Sequence, residues 1–182
     1  MTKLTGRLLK SLAALLGVFT LVVSLSFLLY VSPPGGNTSH ADLIYVIGPP
    51  TRERLLTAEQ LRESGVASHI LVSVSPPGEE FSAERLQICH QRFATCAIPV
   101  PLKTRGEASL LVQYARTHEV KKAVILTFAP QVMRARFIFW KCYPGDFSVV
   151  AVDQRLRLRD WVDQSIYQTA GFLKAFVMPC PS

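Results

Sequence analysis

No charged side chain stands between Lys10 and Asp42. A stretch that long without a charge is suited to lipid and not to water. Nothing repeats internally, so the remainder is read as one core and not as an array. The pattern Gly-x-Ser-x-Gly is missing, which withdraws support for a Ser-His-Asp hydrolase. Cysteine and histidine fit no common zinc spacing. The nearest approach is Cys89, His90 and Cys96, where neighbouring side chains diverge on a helix, so no metal site is expected. Excess charge is modest as well. Setting aside Lys3, Arg7 and Lys10, the remainder carries +4 of the formal +7, with both signs mixed. That is too weak and dispersed for nucleic-acid binding, and suits proximity to anionic headgroups or the handling of anionic ligands.

What is present begins with those three cations, placed ahead of residues 12–31. Twenty residues rich in Leu, Val, Phe and Ala rise roughly 30 Å as a helix, the thickness of a hydrocarbon core. Cations on one flank only predict an N-terminus (residues 1–11) held in the cytoplasm and a remainder sent outward. Ser24-Leu25-Ser26 also reads as a signal-peptidase site, which would release the outer part. The apolar run continues through residues 27–31 beyond that cut and favours an uncleaved, single-pass signal anchor. Residues 32–40, Ser-Pro-Pro-Gly-Gly-Asn-Thr-Ser-His, have the composition of a linker that cannot continue a helix. An extracytoplasmic domain is expected over residues 41–182.

In that domain short apolar runs alternate with amphipathic ones. Residues 43–47, 70–74, 97–100, 123–127 and 148–152 read as strands. Residues 54–65, 80–93, 105–118, 130–140 and 158–176 read as helices, the first with Leu55, Ala58 and Leu61 at helical spacing. Continuous apolar strands separated by helices predict an α/β fold: a Rossmann-like parallel sheet of about five strands with helices on both faces. Ligands of such sheets bind beyond the carboxyl ends of the strands. Attention therefore falls on residues 48–54, 73–79, 101–107 and 127–134, and on the chain from Asp153 onward. His69, His90 and His118 fall near the opposite edge.

The run Ala41-Asp42-Leu43-Ile44-Tyr45-Val46-Ile47-Gly48, Arg54-Leu55 with Ala58, Leu61 and Gly65, Ile70-Leu71-Val72-Ser73, Thr104-Arg105-Gly106-Glu107-Ala108, and Thr127 followed by Arg134-Ala135 forms an ordered set. With its anchor, the chain resembles the YdcF/SanA/ElyC-type family of envelope proteins over nearly the whole outer domain. The resemblance implies a cell-envelope protein whose outer domain binds an anionic ligand such as a cell-wall or lipid-linked precursor. Whether it also processes that ligand stays open, and no cofactor or oligomeric state is implied. The alternative is a non-catalytic interaction or scaffold protein that kept the fold. Two departures bear on this choice. Where the family pattern has Gly-rich turns, this chain has Gly48-Pro49-Pro50 and Ser73-Val74-Ser75-Pro76-Pro77, and proline removes backbone donors. Where the family has a His three residues before the Arg of the fourth loop, this chain has Gln131, which exchanges no proton near neutral pH.

The expected ligand-binding residues are Arg54, Ser73, Thr104, Glu107, Thr127, Gln131 and Arg134. Each has a plainer reading. Thr104 and Glu107 have the spacing of a capping box, Arg54 belongs to a charged Arg52-Glu53-Arg54 cluster, and Ser73 and Thr127 read as ordinary strand ends. Arg134, one turn into a helix, reads either as an anion ligand or as a solvated cation. Glu79, Glu107 and Asp153 are the titratable groups near these loops. Arg155-Leu156-Arg157-Leu158-Arg159 reads as a solvated lead-in or as a contact with headgroups or a polyanion. Four cysteines permit three pairings. Placement of all four at the amino edge of the sheet selects Cys89 with Cys96 and Cys142 with Cys180, in an oxidising compartment.

Overall fold

A computed structural model describes residues 2–181, with side chains from residue 9 onward. Met1, Ser182 and the side chains of Lys3 and Arg7, on which part of the expected orientation rests, lie outside the described residues. Helix α1 (Thr2–Ser26) runs into a wider π turn, Phe27–Val31. Leu9–Val31, 23 residues, is long and apolar enough to cross a membrane, starting three residues earlier than expected. Leu12, Leu15, Leu16 and Phe19 are all more than half exposed, as suits a lipid-facing helix and no soluble core.

Beyond it lies a sheet of five parallel strands: β1 (Leu43–Val46), β2 (Ile70–Ser73), β3 (Ala94–Ala97), β4 (Lys122–Phe128) and β5 (Asp146–Val152). Their spatial order is β3-β2-β1-β4-β5, with Ile44 facing both Ile70 and Val124 in register. Strand alternation divides the core in two. Leu43, Tyr45, Leu71 and Ile125 face helices α3 (Thr104–His118), α4 (Val132–Cys142) and α5 (Leu158–Val177). Ile44, Val46, Val72 and Val124 face α2 (Arg52–Glu63) and two short 3₁₀ turns. Residues 43–47 are fully buried, each apolar side chain contributing about 1.5–3 kcal/mol relative to exposure. Burial on both faces is why these strands read as continuous apolar runs.

Two elements differ from expectation. Residues 80–93 hold no α-helix, only the turns Ala83–Arg85 and Gln87–His90. The Ser82 hydroxyl donates to the Glu79 carbonyl, a local bond that competes with helix formation, and Ile88 anchors the two turns in the core with Ala83, Leu86 and Cys89 packed around it. The third strand lies at residues 94–97 and not 97–100. Pro99 and Pro101 lack the N–H that a parallel ladder needs, so pairing with β2 ends at Ala97.

Residues 32–40 lack regular structure yet lie along the domain. Arg136 Nη2 donates to the Pro34 carbonyl at 2.6 Å, and the Asn37 N–H to Ser148 Oγ at 2.7 Å. A Cβ on Gly36 would collide with the Val149 carbonyl, so this glycine permits the segment to press against β5. Tyr30, at the end of the apolar segment, is buried and shares a 2.7 Å hydrogen bond with Thr169 of α5.

Both cysteine pairs stand at disulfide geometry, Cys89 with Cys96 and Cys142 with Cys180, each with Cα atoms 5.5 Å apart. They point to an oxidising compartment.

Candidate functional site

Strand order reverses between β1 and β4. The chain leaves β1 toward one face through α2, and leaves β4 toward the other through α4. A crevice opens at their carboxyl ends for that reason. Here lies a cavity of about 680 Å³, within the range of small-molecule sites.

Its floor is built around Glu107. The first turn of α3 can lie close to the preceding loop because residue 106 is glycine: a Cβ there would collide with the Pro101 backbone. One helical residue later the Glu107 side chain enters the crevice, 4% exposed, and its Oε1 accepts the Gly48 N–H at 2.6 Å. The Tyr45 phenol donates to the Glu107 carbonyl at 3.1 Å. Burial pushes the Glu107 carboxyl above its ordinary value. The Gly48 bond, the Ser73 hydroxyl, then Arg54 and Arg134, pull it part of the way back. Burial likewise drives the Tyr45 phenol well up and keeps it neutral.

The expected capping box does not form. Lys103 is the N-cap of α3, Thr104 is its first helical residue, and Glu107 bonds to Gly48 instead. The Thr104 hydroxyl enters a different arrangement. Thr127 Oγ1 donates to Gln131 Oε1 at 2.9 Å, and Gln131 Nε2 donates to Thr104 Oγ1 at 3.1 Å. This buried chain ties the end of β4 to the start of α3.

Arg134 forms one wall. Its guanidinium carbon lies 5.3 Å from the Tyr167 ring centroid, a cation–π distance, and its stem rests against Gly171 of α5. Among the described residues no carboxylate lies within salt-bridge distance of it, and its buried Nε has no partner.

Of the seven expected ligand-binding residues, Ser73, Thr104, Glu107, Gln131 and Arg134 line this one cavity. Arg54 and Thr127 do not. Arg54 is 2% exposed and turned inward: its Nη1 donates to the Ile47 carbonyl at 3.0 Å, its Nη2 donates to Gln154 Oε1 at 3.2 Å, and the group lies over Phe128. Desolvation lowers its pKa to about 10. It holds the loop after β5 to the end of β1. Thr127 is fully buried and reaches the cavity only through Gln131. Of the three titratable candidates, Glu79 and Glu107 line the cavity and Asp153 does not.

Sequence reading missed the wall supplied by α5, with Gln164, Tyr167, Gln168 and Lys174. Gln168 is 1% exposed, and its Oε1 is a buried acceptor without a partner. The available signal was polar: Gln164 and Gln168 stand four apart, one helical turn, on the buried face of an otherwise amphipathic helix. Lys103 and Arg105 complete a lining of four cations against two carboxylates, counting Arg134 and Lys174.

Backbone donors are scarce at the turns. Pro49, Pro50, Pro76 and Pro77 have none, the Gly48 N–H is occupied by Glu107, and the Gly78 N–H by Glu84 at 2.8 Å. An anion held here is held by side chains and not by a glycine nest.

Comparison of the chain with family models, curated proteins and solved structures gives no match.

Proposed function

We propose that this chain is a membrane-anchored envelope protein of the YdcF/SanA/ElyC type, with a cytoplasmic N-terminus and its α/β domain outside. In this reading the cavity binds the phosphate or carboxylate group of an envelope ligand. The observation that carries it is Arg134: a half-buried guanidinium on the cavity wall with no acidic partner in salt-bridge reach among the described residues. A cation held by a tyrosine ring and a glycine, with an unpaired Nε, retains its capacity to pair with an anion. Gln168 Oε1 supplies an acceptor for a hydroxyl or amide N–H of the same ligand.

A specific observation also favours the second, non-catalytic reading. Gln131 carries no exchangeable proton at the position where the resembling family has its histidine, and both of its polar atoms are engaged by threonines. The carboxyls left on the cavity wall are Glu79 and Glu107, and Glu107 is engaged by the Gly48 N–H.

The test is ligand-induced stabilisation of the full chain in detergent, with nucleotides and lipid-linked cell-wall precursors as probes. A binding probe raises Tm, and Arg134→Ala weakens that binding by about 1.5–3 kcal/mol, the range for a hydrogen bond to a charged group. Stabilisation that survives Arg134→Ala unchanged, or none with any anionic probe, overturns the reading.

A further inference from the structure

Helix α5 exposes a second surface that the cavity does not use. Leu158, Val162, Ile166, Leu173, Phe176 and Val177 recur at helical spacing and are exposed, from 54% at Val162 to 82% at Leu158. The buried positions Gln168 and Ala175 lie on a different side of the helix. Twenty residues make this stripe about 30 Å long. Soluble surfaces seldom leave so long an apolar row open.

The stripe continues onto α4. Phe137 packs tilted against Phe172 at 4.9 Å, stacks on Phe176 at 6.0 Å, and lies 6.3 Å from Trp140, itself 74% exposed. At the start of α5 stand Arg155, Arg157 and Arg159, of which Arg159 shares an exposed ion pair with Asp163. Thr169 belongs to the same side of α5 as the stripe, and its hydroxyl is bonded to Tyr30, the penultimate residue of the apolar segment Leu9–Val31.

We infer that the outer face of α5, with Trp140, lies in the headgroup region of the membrane that Leu9–Val31 crosses. The inference rests on the reading of that segment as a membrane span. A span that ends at Val31 leaves the bilayer there, and the 2.7 Å bond from the adjacent Tyr30 to Thr169 fixes the middle of the stripe to that point. The apolar row is therefore continuous with a surface already facing lipid. An exposed Trp and a cluster of arginines flanking an apolar helix face are the side chains an interfacial helix uses, the first at the headgroup level and the second on anionic lipids. Tyr167 and Lys174, on the same helix, line the cavity, so docking holds the cavity within about one helix diameter, ~10 Å, of the lipid surface.

Photo-crosslinking of the full chain tests this. Ile166 or Leu173 is replaced by p-benzoylphenylalanine, both sites being exposed and outside the core. The protein is reconstituted in vesicles of phosphatidylethanolamine and phosphatidylglycerol, irradiated, and analysed by mass. The same probe at Val22 reports the span, and at Glu63, on α2 across the sheet, reports solvent. Lipid adducts at Ile166, Leu173 and Val22, with none at Glu63, are the expected result. Lipid adducts at Val22 without any at Ile166 or Leu173 overturn the inference and leave the anchor standing. Absence of adducts at Val22 removes the membrane premise, and the inference falls with it. A crosslinked dimer through Ile166 or Leu173 assigns the stripe to a second copy of the chain and likewise overturns it.

Discussion

The Gly48 N–H donates to the Glu107 carboxylate at 2.6 Å, joining the turn after β1 to the first turn of α3 at the floor of the crevice. The bond explains how the Gly48-Pro49-Pro50 turn is held without a glycine nest. It also places a carboxylate where it is almost wholly buried, and burial raises its pKa above the ordinary 4.5. The sign follows by linkage. A raised folded-state pKa means that the protonated form suits the fold, so stability is full below 4.5 and declines as pH rises through the raised value.

Glu107→Gln keeps an oxygen for Gly48 and does not titrate. The expected outcome is that this variant gains stability relative to the unsubstituted chain as pH rises from 4.5 through the raised Glu107 pKa, with no such gain below 4.5. Asp42, Glu53 and Glu84, whose pKa values are lowered by hydrogen bonds, act with the opposite sign. They are common to both proteins, so the difference between the two denaturation curves isolates Glu107. A variant that instead loses ground as pH rises would show that attraction to Arg54 and Arg134 outweighs desolvation.

Gln131 is the middle of the buried chain from Thr127 to Thr104. Gln131→Leu removes both bonds and leaves two buried hydroxyls without it. The expected cost is about 1–3 kcal/mol in urea denaturation. Gln131→His retains one donor and one acceptor on its neutral ring and is expected to cost less. Equal costs for the two substitutions would mean that packing, and not the hydrogen-bond chain, decides the position.

Orientation is tested by fusion. A C-terminal alkaline phosphatase is expected to be active, and a C-terminal fluorescent protein that matures only in the cytoplasm is expected to stay dark, because the cations precede the apolar segment. Bright fluorescence without phosphatase activity contradicts the proposed topology.

Sequence patterning carried the sheet well, because strands buried on both faces leave uninterrupted apolar runs such as residues 43–47. The same patterning misled at residues 80–93, read as a helix, where the Ser82 hydroxyl and two closely placed turns stand instead. At the cavity, loop position after a parallel strand was enough to find Ser73, Thr104, Glu107, Gln131 and Arg134. Direction was not legible. Arg54 starts in the right loop but turns inward to the Ile47 carbonyl, and no local pattern distinguishes that from a side chain turned outward. Nor does the spacing of α5 reveal which element it returns to, since its two sides, one on the cavity and one exposed, both carry apolar residues.

The return of α5 is secured at its far end. Lys141 Nζ donates to the carbonyls of Ala175, Phe176 and Met178, at 3.2, 3.1 and 2.8 Å, satisfying the free acceptors of the last turn and opposing the negative end of the helix dipole. One residue beyond Lys141, Cys142 pairs with Cys180, across a separation of 38 residues that contains all of α5. The Cys89–Cys96 pair closes only 7. Loop-closure entropy makes the first worth on the order of 4 kcal/mol and the second on the order of 2 kcal/mol. The consequences differ in kind as well as size. Replacing Cys142 and Cys180 by Ser is expected to raise amide hydrogen exchange across α5 while leaving β1 and β4 protected, since α5 lies outside the sheet and walls the cavity through Tyr167 and Gln168. Replacing Cys89 and Cys96 is expected to loosen only residues 80–97, remote from Arg134. Exchange mapped by mass spectrometry distinguishes the two. Free thiols in the unsubstituted protein isolated from membranes, or α5 as protected in the Cys142 and Cys180 variant as before, would count against the tether.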